Sequence, residues 1–421
     1  MKTLNQDAAL LERRNKALAA VLFLLSPLLA VFAAFKNYHA KWPKNILWGF
    51  IVFYGATMVI SREGMDAAVY RDTLIYMHSL NMDFGQLWIT LYNPLYGELD
   101  IVNPIIVFVV SSFTSNYHVL FAVYGFVFGF FYSRNIWYLF EHADGDIKKR
   151  SMIYILVFAL IVGFWNINGF RFWTAALVFF YGAMPYVFEK KMSKLWIAAA
   201  SILFHFSFFV PVILLFGFIV LKNKVHIFFY FFLITFFVNS INLESLGSFL
   251  ETIFPEMLYD KTKGYTNPEY AETVAVGKQQ MSLYARVFRD LMGYVIAAFL
   301  FYIYAKRLKD IKQDSGLYRL FNFSLFFLGF ANLFSLMPSG GRFSIVGNLF
   351  AVALILFYLQ RFTIDKGTRY LTYLVIPFIA LFIVVTLRIG TDTVGVGTIV
   401  GNPITMFFID NDWALIELIK K

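Results

Sequence analysis

Long apolar runs separated by short basic loops dominate this chain of 421 residues. An α-helix needs about 20 apolar residues to cross the hydrocarbon core of a bilayer. The pattern therefore predicts an all-α, polytopic integral membrane protein, a single transmembrane domain over residues 1–421, with about 11–13 membrane segments. The predicted spans are approximately 17–35, 46–60, 118–140, 151–167, 172–188, 225–240, 287–305, 317–337, 343–360 and 370–387.

Two apolar stretches do not have the length of an ordinary span. Residues 101–113 are too few to cross, which predicts a re-entrant or interfacial segment. Residues 195–221 are long for one helix and short for two, with His205 near their middle and Pro211 after it. This stretch is predicted to be a helix that is broken or turned back within the membrane.

The distribution of Lys and Arg predicts the orientation of the chain. Basic short loops at 148–150, 189–194, 222–224, 306–312 and 361–369 are placed in the cytoplasm. The outer face then receives the following polar segments: the acidic loop 61–100, a second long loop at 241–285, the turn 338–342 and the polar tail 388–421.

The N-terminus conflicts with this scheme. Residues 1–16 carry four Lys and Arg side chains, and the link 36–45 is basic as well. If both segments were cytoplasmic, the apolar run 17–35 could not cross the membrane. If only residues 1–16 were cytoplasmic, the loop 61–100 would be cytoplasmic too. The acidic character of 61–100 favours an outer location.

Composition narrows the chemistry further. The chain is 60% hydrophobic and only 15% charged, which a soluble fold could not bury. It has no cysteine, which excludes disulfides, iron–sulfur clusters and thiol catalysis. The net charge of +10 comes from the basic loops between spans and predicts no nucleic-acid partner.

With this topology, several ionisable or polar side chains gather at the outer face. Such groups at membrane depth are expensive and commonly functional. Each also has a plainer explanation: an arginine snorkelling to headgroups, a histidine bonding a neighbouring helix, or a solvated loop aspartate. The candidates are Asp66, Tyr70, Arg171, His205, Arg286, Arg289 and Arg342.

Other catalytic signatures are missing from the sequence. The six histidines form no HxxxH or HExxH pair, and there is no phosphate-binding Walker loop or GxSxG elbow. Asp410-Asn411-Asp412 imitates the DxD of metal-dependent sugar transferases, but it stands in a short tail without a nucleotide-binding domain. It is interpreted as a surface turn, and no metal or cofactor is predicted.

The order and spacing of several short motifs resemble the Wzy-type polysaccharide polymerases, in particular the EpsG-like family. The resemblance runs over roughly residues 46–360. Two departures are Asn93, where the family pattern has Glu, and Arg62, which lies closer to Asp66 than is usual. The matching elements are Gly64-Met65-Asp66 with Tyr70, Asn93-Pro94-Leu95-Tyr96, Asn168-Gly169-Phe170-Arg171, Phe204-His205-Phe206-Ser207 and Arg342-Phe343-Ser344.

The resemblance implies an integral-membrane glycosyltransferase similar to the GT-C type, acting without a metal at the outer face of the bacterial inner membrane. Its donor and acceptor would both be glycans on undecaprenyl diphosphate, embedded in membrane lipid. The product would be an O-antigen, capsule or exopolysaccharide. A partner that regulates chain length is also implied by analogy with the family.

The candidate residues fit roles in that reaction. Guanidinium groups stay charged and fork onto phosphate oxygens, so Arg171 and Arg342, with Arg286 or Arg289 as a third, would hold the leaving diphosphate. His205 or Asp66 would serve the attacking hydroxyl as a base, and Tyr70 would orient a sugar. Two other classes stay open: a flippase or transporter of lipid-linked sugars, and a membrane acyltransferase that modifies polysaccharide.

Overall fold

The computed structural model describes residues 2–60, 65–91, 100–253, 265–280, 283–407 and 413–419, and every regular element among them is a helix. This confirms the predicted all-α class. The helices are α1 (Lys2–Leu25), α2 (Pro27–Lys36), α3 (Pro43–Ala56), α4 (Asp66–Leu80), α5 (Phe84–Leu91), α6 (Val102–Ser111), α7 (Tyr117–Glu141), α8 (Lys149–Ile161), α9 (Phe170–Glu189), α10 (Leu195–Phe204), α11 (Phe209–Leu221), α12 (Val225–Phe236), α13 (Leu243–Ile253), α14 (Pro268–Gln280), α15 (Leu283–Tyr302), α16 (Leu308–Gln313), α17 (Ser315–Phe334), α18 (Gly341–Arg361), α19 (Lys366–Gly390), α20 (Val396–Val400) and α21 (Leu415–Ile419).

Six helical stretches in the described part of the chain are long and apolar enough to cross a membrane, and shorter apolar helices accompany them. The protein is therefore a multi-pass membrane protein, as predicted. The six stretches are Tyr117–Glu141, Lys149–Glu189, Asp290–Gln313, Ser315–Phe334, Gly341–Arg361 and Lys366–Gly390.

The stretch Lys149–Glu189 is a hairpin of α8 and α9 rather than one straight helix. At its start, Arg150 Nε donates to the Leu359 carbonyl at 3.3 Å. At its end, the ring of Phe188 lies 4.9 Å from the Arg361 guanidinium carbon. Both ends therefore lie beside the C-terminal end of α18, and the turn between α8 and α9 lies at the opposite face.

The basic loops between spans converge at one end of the molecule. Arg361 pairs with Asp314 at 2.6 Å and with Asp144 at 3.0 Å. Lys44, in the link 36–45, pairs with Glu141 at 3.0 Å. Because loops far apart in sequence share one face, their common excess of Lys and Arg indicates that this face is cytoplasmic.

The N-terminal apolar run does not cross the membrane, so the predicted span 17–35 is wrong. The first helix ends before Ser26, whose hydroxyl accepts from the Leu29 N–H at 3.4 Å, and Pro27 opens α2. The chain then doubles back until Asn15 Nδ2 donates to Asn37 Oδ1 at 3.1 Å. Between the Asn15–Asn37 contact and the turn at Ser26, each arm of this hairpin is about 15 Å long, half of what a bilayer core requires.

This hairpin removes the topological conflict. Both basic segments, 1–16 and 36–45, lie at the same face, because the apolar run between them enters and returns. The following helix α3 then runs toward the opposite face, which is compatible with an outer location of the loop 61–100; that location stays a prediction.

We expect single cysteines at Arg14 and Lys41, both exposed, to be labelled only from the cytoplasmic side in oriented vesicles. The wild-type chain has no cysteine, so each introduced thiol reports alone. A cysteine at the exposed Glu272 of α14 is the outer-face control. Labelling of the two N-terminal positions from opposite sides would show that 17–35 spans after all.

The two irregular stretches behave as predicted. Helix α6 does not cross, because its end remains with outer elements: His78 Nδ1 lies 2.6 Å from the Ser111 carbonyl, and α7 starts six residues after α6 ends. Residues 195–221 break at His205, where α10 ends and a short 3₁₀ turn leads into α11.

The C-terminal tail packs on the outer end of α3. The Tyr54 hydroxyl lies 2.8 Å from that of Thr393, and the Thr57 hydroxyl lies 2.8 Å from that of Thr398. The Val59 N–H donates to the Thr393 carbonyl at 3.1 Å. These buried bonds fix the outer end of α3, from which the chain continues toward Asp66.

Candidate functional site

Two transmembrane helices begin at the face opposite the basic loops, which is the predicted outer face, with an arginine as their second residue. These are Arg171 of α9 and Arg342 of α18. A helix N-terminus carries unpaired N–H groups and a partial positive charge. Adding a guanidinium group to each makes both helix starts strongly attractive to an anion.

Phe172 contacts both Arg342 and His205. Its buried ring lies 5.5 Å from the Arg342 guanidinium carbon, and Phe172 follows Arg171 in the first turn of α9. His205 meets the same ring edge-on, with centroids 5.3 Å apart. His205 also lies within electrostatic range of both Arg171 and Arg342, so these three predicted residues are neighbours.

His205 occupies the break between α10 and α11. Its Nδ1 accepts from the Ser207 backbone N–H at 3.2 Å and lies 2.8 Å from the Ser207 hydroxyl. Because a backbone N–H can only donate, Nδ1 is the acceptor and the neutral ring carries its proton on Nε2. In this geometry His205 offers an N–H donor to the site.

Asp66 opens α4 and lies against the turn before α9. The Ala67 N–H donates to Asn168 Oδ1 at 3.1 Å, which ties the start of α4 to that turn. A Cβ atom on Gly169 would lie 3.3 Å from Asp66 Oδ2 and 3.0 Å from the Trp173 ring, so glycine lets these groups approach. The carboxylate of Asp66 remains exposed.

Tyr70 lies one turn further along α4 and is only 4% exposed. It is in hydrogen-bonding contact with Arg171 and within electrostatic range of Asp66. Burial raises the pKa of the Tyr70 phenol above its usual value, and the charge of Arg171 opposes that shift. The phenol therefore stays neutral near pH 7 and connects the Asp66 side of the site to Arg171.

A cluster of aromatic rings, formed by Tyr124, Phe170 and Tyr70, packs together at the start of α9. Tyr124 stacks on Phe170 with centroids 4.0 Å apart and meets Tyr70 edge-on at 5.6 Å. Its hydroxyl donates to Asn103 Oδ1 at 2.5 Å. Since aromatic pairs of this kind add packing energy with defined geometry, the start of α9 is held in a fixed position.

Asp100 is a site residue that the sequence analysis did not single out. Its Oδ2 lies 3.3 Å from Arg171 NH1, and its Oδ1 accepts from the Phe206 N–H at 2.7 Å. No short motif marks it, because its partners come from two helices that are distant in sequence. Its position at the end of the acidic outer loop was the only available signal.

Tyr265 is the second residue that sequence reasoning missed. It belongs to the loop 241–285, is in hydrogen-bonding contact with Ser207 and lies within electrostatic range of Arg342 and Asp100. Burial raises the pKa of Tyr265, with Arg342 and the bond to Ser207 opposing the shift. The second outer loop thus places a neutral phenol beside the His205 break.

If the chain has the polymerase activity that its sequence resemblance implies, Tyr265→Phe is expected to lower polymer formation by roughly fivefold, the usual effect of losing one neutral hydrogen bond. Tyr270→Phe is the matched control, because Tyr270 lies in the same loop and is 45% exposed. The measurement is the initial rate of chain elongation in membranes that contain equal amounts of each protein. Equal rates for both variants would remove Tyr265 from the site.

Some predicted residues fall outside what the structure describes. Arg286 and Arg289 lie on α15, but their side chains are not among the described ones. Other residues named in the sequence analysis lie entirely outside the described part of the chain: Arg62, Gly64, the element Asn93–Tyr96 and Asp410-Asn411-Asp412. Their roles stay predictions.

The family model described as the EpsG family matches residues 45–395, a range that includes Asp66, Tyr70, Arg171, His205 and Arg342. No curated protein and no solved structure matches the chain. Because the matched range covers most of the 421 residues, the chain belongs to the EpsG family.

Proposed function

We propose that this protein joins lipid-linked oligosaccharide repeat units into a surface polysaccharide at the outer face of a bacterial inner membrane. Membership in the EpsG family already indicates a polymerase-type role in polysaccharide biosynthesis. One observation carries the finer proposal. Arg171 and Arg342, each in the first turn of a transmembrane helix, both lie within electrostatic range of His205.

The two arginines suit a diphosphate leaving group. When the bond between the anomeric carbon and the phosphate oxygen breaks, negative charge develops on undecaprenyl diphosphate. Fixed guanidinium groups and helix N-termini stabilise that charge, and they do so more strongly in a site that is partly shielded from water. The side chain of Arg171 is 35% exposed, which leaves part of it available to a ligand.

Asp66 is the best placed group to act as the base. Its carboxylate is exposed at the site, whereas the Nδ1 lone pair of His205 is already engaged by Ser207. In the proposed reaction, Asp66 takes the proton of the acceptor hydroxyl as its oxygen attacks the anomeric carbon. A new C–O bond forms, the old one breaks, and the lipid diphosphate departs with inversion.

Two neutral hydrogen-bond donors of the site, His205 and Tyr70, would orient the substrates. The Nε2–H of His205 can bond an oxygen of the donor sugar or of the diphosphate. Tyr70, which contacts Arg171 and lies near Asp66, can bond a sugar hydroxyl. These roles keep both predicted residues in the reaction while giving the proton transfer to Asp66.

The surroundings of the site suit a lipid-linked substrate. Apolar side chains that remain 41–53% exposed lie on α6 and α10, next to Asp100 and His205: Ile105, Val109 and Leu203. Such surfaces can hold isoprenoid tails while the diphosphate meets the arginines. The donor and the acceptor would both reach the site from within the membrane. A chain-length regulator remains a prediction about partners.

A test in cells separates the proposal from its two alternatives. In cells that lack this protein, we expect single lipid-linked repeat units to accumulate at the outer leaflet, where an external glycan-oxidising enzyme reaches them. Repeat units confined to the inner leaflet would indicate a flippase instead. Polymer of normal length that lacks acyl groups would indicate an acyltransferase.

A further inference from the structure

Asp100 combines burial with two strong polar contacts at the edge of the site. The residue is 7% exposed, although it follows a long polar outer loop. A carboxylate that is removed from water needs compensation by charge or by hydrogen bonds. Asp100 has both, from partners on different helices.

Its two oxygens contact different partners. Oδ2 lies 3.3 Å from Arg171 NH1 in α9, and Oδ1 accepts from the Phe206 N–H at 2.7 Å in the α10–α11 break. The next residue strengthens the join, because the Ile101 N–H donates to the Leu203 carbonyl at 3.0 Å. Asp100 therefore connects the guanidinium group of Arg171 to the backbone beside His205.

This arrangement fixes one edge of the planar guanidinium group of Arg171. A guanidinium group presents its five N–H donors in a plane, so holding one edge orients the rest. Tyr70 contacts the same group from α4. An arginine held in this way meets a diphosphate without having to reorganise as charge develops.

The contact also argues against a role for Asp100 as the base. Both of its oxygens are engaged by protein groups, so neither is placed to take the proton of an acceptor hydroxyl. Asp66, which is exposed, is the carboxylate that an acceptor hydroxyl can reach.

We propose that Asp100 is a positioning residue that acts through Arg171, orienting its guanidinium group toward the leaving diphosphate. This inference rests on the proposed function. Asp100→Asn keeps an oxygen that can accept from Phe206 and removes the charge that holds Arg171. Turnover of a lipid-linked repeat unit is expected to fall about tenfold, the scale of a lost charge-assisted bond.

The test is a double-mutant cycle in two matched backgrounds. In Arg171→Lys, which keeps the charge but has no planar guanidinium group for Asp100 to orient, Asp100→Asn is expected to change turnover by less than about twofold. In Arg342→Lys, the same substitution is expected to cost its full factor. Asp392→Asn is the control, since Asp392 pairs with a different outer-face arginine, Arg388, at 3.0 Å.

Equal losses in both backgrounds would overturn the inference, because they would show that Asp100 supports the fold rather than Arg171. A second measurement on the same set of variants is the affinity of each purified, monodisperse protein for farnesyl diphosphate. One outcome is that the binding data show the predicted coupling between Asp100 and Arg171 while the wild-type protein joins no repeat units. In that case the positioning role stands and the proposed function fails. If no coupling to Arg171 appears in either readout, the positioning role fails.

Discussion

Replacing Arg171 with glutamine is expected to abolish chain elongation while the protein still inserts into the membrane at normal levels. Glutamine keeps much of the length of the side chain but removes the charge that faces the diphosphate. Removing one fixed donor of this kind from a preorganised site costs roughly a hundredfold to a thousandfold in rate. The measurement is polymer length and amount on a gel, normalised to protein in the membrane.

The control for this prediction is Arg388→Gln. Arg388 lies at the same end of the molecule, and its guanidinium group pairs with Asp392 at 3.0 Å. This variant is expected to elongate chains normally. If Arg171→Gln produced polymer of normal length, the assignment of Arg171 to the diphosphate would be wrong.

Replacing Asp66 with asparagine is expected to lower turnover by about a hundredfold to ten-thousandfold, the range that a general base contributes. Asparagine has nearly the same shape, so the packing against Gly169 and the turn before α9 is preserved. It cannot take a proton from the acceptor hydroxyl. The measurement is the rate at which a purified lipid-linked repeat unit is consumed by the purified variant.

Asp72→Asn is the control on the same helix. Asp72 lies six residues further along α4, where its carboxylate pairs with the adjacent Arg71 at 2.9 Å. Turnover in this variant is expected to match the wild type. Activity of Asp66→Asn within about threefold of the wild type, a difference worth less than one kcal/mol, would move the base elsewhere in the site.

The long spans could be predicted because their length and apolar character are local properties. The predicted 118–140 corresponds to α7 at Tyr117–Glu141, and the predicted 343–360 to α18 at Gly341–Arg361. The N-terminal hairpin could not be predicted from hydropathy, since the run 17–35 is uninterrupted. The signal was Ser26-Pro27 together with basic residues at both ends, which one crossing helix cannot satisfy.

The candidate site divides in the same way. Arg171, His205 and Arg342 could be selected from sequence because each follows or breaks an apolar run at one face. Asp100 and Tyr265 could not, since their partners are fixed by long-range packing between outer loops and the starts of helices. The proton position on His205 also depends on one backbone N–H, that of Ser207, which only the folded chain places.

The central claim is that this protein itself joins lipid-linked sugars through the two-arginine site. The most direct measurement uses the purified protein in lipid vesicles with a synthetic undecaprenyl-diphosphate oligosaccharide and a metal chelator. The wild type is expected to produce a ladder of products that differ by one repeat unit, with release of undecaprenyl diphosphate. Arg171→Gln is expected to produce none. A wild-type protein that forms no ladder, or an Arg171→Gln variant that forms the same ladder, would contradict the account.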